Sequence, residues 1–353
     1  MKIHDRYLAV AAWKNVTLVL VALVCLMSLA ALVGELDDLK GRYGILQALK
    51  WVLQTMPERA FDMMVVSALV GGILGFGELA AHNELTMMRA AGRSPRRLAA
   101  SVLMASLPIV LGLGLLTEFA IPKLGRKAER QRRVAQSGAG AIQTEKDLWI
   151  RTGHRMTRIG KIGGDGDFGD VQIFDFNADG YLREVLSAER AKSLPDGNWE
   201  LYDARRDWAG DPPRTDFEPI LVLDSGISAD VVHLFTDSPD HLPLSRVAQQ
   251  LSRKTDSDTP QDRLARSFWR RIGVMLLSSA MLVLALPIAL GASSRSSVNA
   301  RIGIGVVLGV IAQVTIQVLY YLGDIFNLDA RLVGLAPVVL ATSTALILLR
   351  SGR

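Results

Sequence analysis

Six runs of apolar sequence constrain this chain more than any other feature. A bilayer core about 30 Å thick takes about 20 residues of apolar helix. A hydropathy window of that order finds candidates at 16–33, 61–81, 98–121, 268–290, 302–322 and 332–349. The first, VTLVLVALVCLMSLAALV, holds no charge. It is too long for a signal-peptide core, and the following Glu35-Leu36-Asp37-Asp38 offers no small-x-small cleavage site, so it reads as a retained helix. Asp62 and Glu78 stand near the ends of the second run and Glu118 near the exit of the third. The mean hydropathy of +0.25 averages these runs with a long polar stretch between the third and fourth. That average excludes a disordered chain and argues against a wholly soluble one. The single cysteine, Cys25, lies inside the first run, which leaves no disulfide framework or cysteine metal site within one chain.

Basic residues in short loops set the orientation. Lys2, Arg6 and Lys14 precede or open the first run, and Arg89, Arg93, Arg96 and Arg97 lie between the second and third against Glu84. Arg295 and Arg301 follow the fourth, and Arg350 and Arg353 end the chain. With six spans all of these fall on one side. The opposite loops are balanced or acidic: Glu35, Asp37, Asp38 and Glu58 offset Lys40, Arg42, Lys50 and Arg59, and Asp324 and Asp329 outweigh Arg331. Both termini are therefore expected in the cytoplasm and the polar stretch outside. Trp13, Trp51 and Trp269 sit near span ends, where an amphipathic ring prefers the interface.

Residues 140–245 alternate like strands. LWIRT at 148–152, MTRIGKI at 156–162, VQIFDF at 171–176, WELYDA at 199–204 and PILVL at 219–223 are short β-type runs separated by Gly, Asp and Asn clusters. They predict an antiparallel sandwich or jelly roll between two membrane bundles. LSRVAQQLSRK, from residue 244, has weak helical spacing. Asp175, Asn177, Asp179 and Gly180 match the opening of a calcium loop, but Leu186 stands where its closing glutamate belongs, so a hairpin turn at Asp179-Gly180 is the better reading.

Catalytic signatures are missing. No G-x-x-x-x-G-K-[ST] sequence occurs, so nucleotide phosphates are not expected to bind this chain. His4, His82, His154, His233 and His241 make no H-E-x-x-H, and no G-x-S-x-G stands in a convincing context. Ser278 and Ser279 suit interhelical packing better than nucleophilic attack. Gly71, Gly72, Gly75 and Gly77 in the second run, with Gly303, Gly305 and Gly309 in the fifth, form small faces for close helix approach, within the chain or toward a second membrane subunit.

Two placements carry more information. Between the second and third spans, Glu84 to Ala91 can form a short amphipathic helix, stopped by Gly92 and restarted near Ser94-Pro95, with Leu85, Met88 and Ala91 on one stripe. It is either an interfacial helix or a coupling helix for a cytoplasmic partner. Beyond the third span, six basic residues from Lys123 to Arg133 face one acid, Glu129, on the side that should be poor in them. That stretch either pairs with anionic lipid or binds an anionic ligand through guanidinium groups. Lys40 and Arg42 could complete the patch.

At these residues the chain resembles the LptF/LptG permease family of the lipopolysaccharide-export ABC transporter, and more closely its LptG members. The resemblance runs through Asp5-Arg6-Tyr7-Leu8, the stretch from Leu74 to Ser94 (LGFGELAAHNELTMMRAAGRS), Phe268-Trp269-Arg270-Arg271, Ala285 to Gly291 (ALPIALG) and the glycines from Arg301 to Gly309. The implied fold is an α-helical membrane protein with six transmembrane helices plus a periplasmic antiparallel β jelly-roll domain. Its parts would be an N-terminal transmembrane half at 1–135, the jelly roll at 136–250 and a C-terminal transmembrane half at 251–353.

The resemblance also implies a mechanism. Two such permeases, LptG-type and LptF-type, pair in the inner membrane, and an LptB-type ATPase dimer docks on their coupling helices. Lipopolysaccharide enters laterally between the first span of one permease and the fifth of the other. It then rises through the jelly rolls to an LptC-type bridge. No cofactor is expected in this chain; ATP and Mg belong to the partner ATPase. Glu84 matches the acidic coupling position, with Leu85, Met88, Arg89 and Gly92 in the same element. Lys40 matches a basic residue that contacts lipid phosphates, and Arg42, Arg130, Arg132 and Arg133 are further candidates. A further basic position of the family falls on Gly34 here, a departure from the pattern. The alternatives are the paralogous LptF-type subunit and a membrane-anchored periplasmic scaffold or enzyme. No nucleic-acid partner is expected.

Overall fold

The apolar runs fold as long helices; five of the six expected runs each fall within one helix, and the third, 98–121, runs through two helices and the π-helical turn that joins them. The structure, a computed structural model, describes residues 3–37, 44–137, 143–162, 167–177, 179–194, 198–209, 214–224, 239–252, 258–291, 298–326 and 328–351. Helix α1 covers Ile3–Leu36, α2 Ile45–Gln54, α3 Met56–Ala81, α4 Glu84–Ala90 and α5 Pro95–Leu115. A π-helical turn, Leu116–Ala120, joins α5 to α6, Ile121–Ser137. After the sheet come α7 (Leu244–Ser252), α8 (Asp258–Gly291), α9 (Val298–Ile325) and α10 (Ala330–Ser351). Among the described residues, six stretches are long and apolar enough to cross a membrane: Asp5–Leu36, Met56–Ala81, Arg96–Arg132, Gln261–Gly291, Gly305–Gly323 and Ala330–Arg350.

Helices α3 and α8 form the centre of the bundle. Their most apolar windows are 67% buried, whereas those of α1 and α9 are 11% and 17% buried. Glycine explains the central place of α3. A Cβ added at Gly71 would lie 2.5 Å from Val16 Cα, and one at Gly75 would lie 2.7 Å from the Ala11 carbonyl oxygen. Only a hydrogen leaves room for α1 there. On the neighbouring face, Gly72 meets Ala285 of α8, and Gly309 of α9 meets Val66 and Val70. These small faces serve packing within the chain. Leu8, Phe76, Leu85, Leu98, Leu277, Leu282 and Leu286 are buried in the same core.

The polar stretch forms one six-stranded antiparallel sheet in the order β1-β2-β3-β4-β5-β6. The strands are Gln143–Thr152, Arg155–Ile162, Asp167–Phe176, Leu182–Ser193, Asn198–Trp208 and Arg214–Asp224. Register carries the core across the sheet: Leu148 pairs with Ile159, Ile159 with Val171 and Val171 with Ala188. Farther along, Trp199 pairs with Leu223 and Leu201 with Leu221. Phe168 stacks on Trp199 with ring centroids 4.8 Å apart. The described strands meander up and down; a jelly-roll crossover is not seen among the described residues.

The five expected β runs all lie in strands, but β4 went unrecognised. Its sequence, LREVLSAERAKS, is rich in helix formers. Pairing on both sides, with β3 and β5, overrides that preference. The calcium-like motif is a hairpin turn. Asn177 Oδ1 accepts from the N–H groups of Asp179 (3.1 Å) and Tyr181 (2.8 Å), and Gly180 takes φ +84°. Asp175 pairs instead with Arg155, at 3.5 Å.

Candidate functional site

The first candidate is α4. Asn83, at φ 58°, turns the chain out of α3, and Glu84 opens the new helix. The stop is a Schellman motif. The Gly92 N–H donates to the Arg89 carbonyl at 3.0 Å and the Arg93 N–H to the Met88 carbonyl at 3.2 Å. Gly92 sits at φ +87°, which a side chain would strain. Ser94 then caps α5, accepting from the Arg97 N–H at 3.4 Å. The expected helix, stop and restart are all present.

Helix α1 holds α4 by its first turns. Tyr7 Oη donates to Glu84 Oε1 at 3.2 Å. Asp5 Oδ1 accepts from Arg93 Nη1 at 2.7 Å and from Ser101 Oγ at 2.8 Å. Two of the three residues of the expected stripe are turned inward: Leu85 is fully buried and Met88 packs partly against the same core, whereas Ala91 is exposed. Burial of the larger apolar side chains against α1, α3 and α5 wins over exposure at a loop. The outward residues are Thr86, Met87, Arg89 and Ala90. Leu85 can therefore act on a partner only by fixing the pose of α4.

The second candidate surrounds α6, at the β-domain end of the bundle. Arg132 Nη2 lies 3.0 Å from Glu35 Oε1, and Glu35 is 5% exposed. Taking a carboxylate out of water to that degree is costly, and a neighbouring cation offsets part of the cost. The Arg132 guanidinium stands 5.1 Å from the centroid of Trp51, and that of Arg59 stands 5.4 Å from it. Arg59 Nη1 also donates to the Val52 carbonyl at 2.9 Å, and Gln54 Nε2 to Gln131 Oε1 at 3.2 Å. These links gather α1, α2, α3 and α6 at one place. Trp51, expected near a span end, is thus engaged by two cations.

Of the remaining basic candidates, only the Arg130 side chain is described. Arg130 is exposed on α6. Two residues apart on a helix, Arg130 and Arg132 do not share a face. Arg133 lies in α6, but its side chain is outside what the structure describes. Lys40 and Arg42 lie outside the described residues altogether.

A third cluster was not nominated from the sequence. Where the chain returns from the sheet, Pro239–His241 forms a 3₁₀ turn against α8. Arg271, with a 3% exposed side chain, donates to the carbonyls of Leu242 and Pro239, both at 2.7 Å. Arg270 Nη2 lies 3.1 Å from Asp240 Oδ2 and its Nη1 lies 3.7 Å from Asp62 Oδ1. Ser267 Oγ donates to Asp240 at 2.7 Å. Burial works to raise the Asp240 pKa, but Arg270, Ser267 and Arg271 outweigh it and hold the carboxyl below its ordinary value. His241 packs its ring on Gly125 of α6 and points Nε2 at Glu58, 3.6 Å away. The hydrogen bond to Glu58 raises the His241 pKa, against the opposing effect of burial. Glu118, on the π-helical turn, accepts from the backbone N–H of Ser245 at 3.0 Å and from its Oγ, capping α7. The signal was present as Phe268-Trp269-Arg270-Arg271, but the motif did not reveal which segment its arginines hold.

No group of three or more His, Cys, Asp and Glu able to hold a metal occurs among the described residues. What the geometry offers is mechanical and electrostatic. A short helix is strapped to the first span at one end of the bundle. At the other end, a partly buried ion pair joins the first span to the basic helix that leads into the sheet.

Comparisons with known proteins find relatives along nearly the whole chain. The chain is 25% identical over 342 residues, 95% of its own length and 92% of the relative's, to the lipopolysaccharide export system permease protein LptG of Escherichia coli (strain K12). It is 24% identical over 339 residues, 95% of each chain, to the LptG protein of Haemophilus influenzae. The family model for the lipopolysaccharide export system permease LptF/LptG matches residues 6–351. The chain therefore belongs to the LptF/LptG family of lipopolysaccharide export permeases.

Proposed function

We propose that this chain is an LptG-type subunit that pairs with an LptF-type permease and extracts lipopolysaccharide from the outer leaflet of a Gram-negative inner membrane. Both termini and α4 face the cytoplasm, and the sheet lies in the periplasm. An LptB-type ATPase dimer holds ATP and Mg and pushes on α4. An LptC-type bridge receives the lipid from the β domain. The observation that carries this reading is the uneven burial of the spans. The two that the family resemblance places at the lateral gates, α1 and α9, are the least covered within the chain, at 11% and 17%. Their bare apolar faces suit a second permease and lipid acyl chains.

In this reading the contacts of Tyr7 with Glu84 and of Asp5 with Arg93 pass the movement of α4 directly to the first span. The far end of that span is latched by Glu35 to Arg132. Incoming lipid phosphates take Arg132 from Glu35, while Arg130, Arg133, Lys40 and Arg42 add cationic attraction. Purification in mild detergent tests the assignment. The complex should carry a second permease and an ATPase, and should release lipopolysaccharide on adding ATP. Isolation of this chain with neither partner would overturn it.

A further inference from the structure

Helix α2 carries an apolar surface that neither the spans nor the sheet explains. It is too short to cross a membrane, at ten residues, and its sequence is ILQALKWVLQ. At about 100° per residue, Ile45, Leu46, Leu49 and Leu53 share an arc of about 100°. All four are exposed, from 42% at Leu49 to 74% at Leu46. Ala48 and Val52 are buried and, with the half-buried Trp51, form the side that packs on the bundle. Gln47, Lys50 and Gln54 fall on a third arc. The helix thus has a protein side, an open apolar side and a polar side.

Its tethers fix its depth. Eight residues separate α1 from α2, and Thr55 alone separates α2 from α3. Both neighbours are membrane spans. Thr55 leaves helical geometry at φ −91°, ψ 0° and caps the Trp51 carbonyl with its Oγ1 at 2.8 Å, so α2 ends there and does not continue into α3. The charges nearby suit lipid headgroups. Lys50 is the only charged residue on α2, and the guanidiniums of Arg59 and Arg132 flank Trp51.

We propose that α2 lies in the membrane interface on the β-domain side, with Ile45, Leu46, Leu49 and Leu53 among the acyl chains of that leaflet. A helix with an open apolar stripe, a polar face and neighbouring cations binds a lipid surface in this way. On α1, which packs beside α2, Leu26, Leu29 and Val33 are bare as well. Anchored so, α2 holds the Trp51, Arg132 and Glu35 cluster at headgroup depth. The inference concerns a lipid surface alone and stands apart from the export reading.

Spin labelling tests it. Cys25 is replaced by alanine, and single cysteines are placed at Leu46, Leu49 and Gln47. The labelled complex is returned to vesicles of phosphatidylethanolamine and phosphatidylglycerol. Labels at 46 and 49 should collide with oxygen several-fold more than with a water-soluble nickel chelate, and the label at 47 should show the reverse. Access of the nickel chelate to 46 and 49 would overturn the proposal in favour of a water-exposed helix. Exclusion of both reagents would overturn it in favour of a protein partner.

Discussion

Arg132 and Glu35 meet at 3.0 Å and so join the C-terminal end of the first span to the helix that carries the chain into the sheet. The pair is unequal: the Glu35 side chain is 6% exposed and that of Arg132 is 26% exposed. Removing the arginine takes the 3.0 Å cation from a buried carboxylate, while removing the carboxylate leaves a guanidinium that still has solvent and Trp51. Arg132→Gln should therefore destabilise the chain by about 1–3 kcal/mol, the buried-pair cost reduced for partial exposure. Glu35→Gln should cost less and should increase photo-crosslinking of lipopolysaccharide to α6. Melting in detergent and crosslink yield check the two halves. Equal destabilisation by both substitutions would contradict the asymmetry.

The strap on α4 has a direct test. Asp5→Ala removes two hydrogen bonds to one carboxylate oxygen, a loss of about 1–2 kcal/mol. ATP hydrolysis should continue while lipid release per ATP falls several-fold. The exchange Asp5→Arg with Arg93→Asp should restore release, because it rebuilds the ion pair with reversed polarity. Failure of the exchange where both singles are folded would assign Asp5 another role.

Glu84 is expected to act at the same joint. Glu84→Ala should uncouple hydrolysis from release, and Tyr7→Phe should do so more weakly, since it removes a single neutral donor from an exposed bond. Full transport by Glu84→Ala in vesicles would remove that residue from the coupling path.

Gly71 permits the approach of α1 to α3. Gly71→Leu would drive a side chain into the Val16 backbone, at a cost of about 3 kcal/mol or more. Gly112, with nothing within 4 Å of an added Cβ, should accept alanine with little effect. Expression level and melting temperature of the two variants make the comparison.

The His241 to Glu58 contact makes a small part of stability depend on pH. Its partner raises the folded-state pKa of His241 above the ordinary value near 6.5. The contribution is therefore complete below about pH 6.5 and is lost as pH rises through the higher folded value. Melting temperatures at pH 6 and pH 8.5 should differ more for the wild type than for His241→Gln. An unchanged difference would leave the contact without thermodynamic weight.

Much of the architecture is local and so was legible in the residues. Apolar length marked the six spans, and alternation marked five strands. Gly92 and Ser94-Pro95 bracketed α4, because a positive φ and a helix cap each demand particular residue types. Strand β4 was hidden, since its helix-forming composition yields only to neighbours that a one-dimensional pattern does not show. The acids were hidden for the same reason. Glu35, Glu58, Asp62 and Glu118 read as loop or span-end charges. Their partners, Arg132, His241, Arg270 and Ser245, are mostly distant in sequence and meet them only once the helices pack. For Arg132 this matters most: its basic character was legible, but its engagement by Glu35 was not.

ATP-driven lipid release from proteoliposomes decides between an export permease and a passive membrane scaffold. With the partner permease and ATPase present, adding ATP should move labelled lipopolysaccharide out of the bilayer to an acceptor, and the Asp5→Arg, Arg93→Asp exchange should retain that activity while each single substitution loses it. Hydrolysis of ATP by the wild-type complex with no lipid leaving the bilayer would contradict the account.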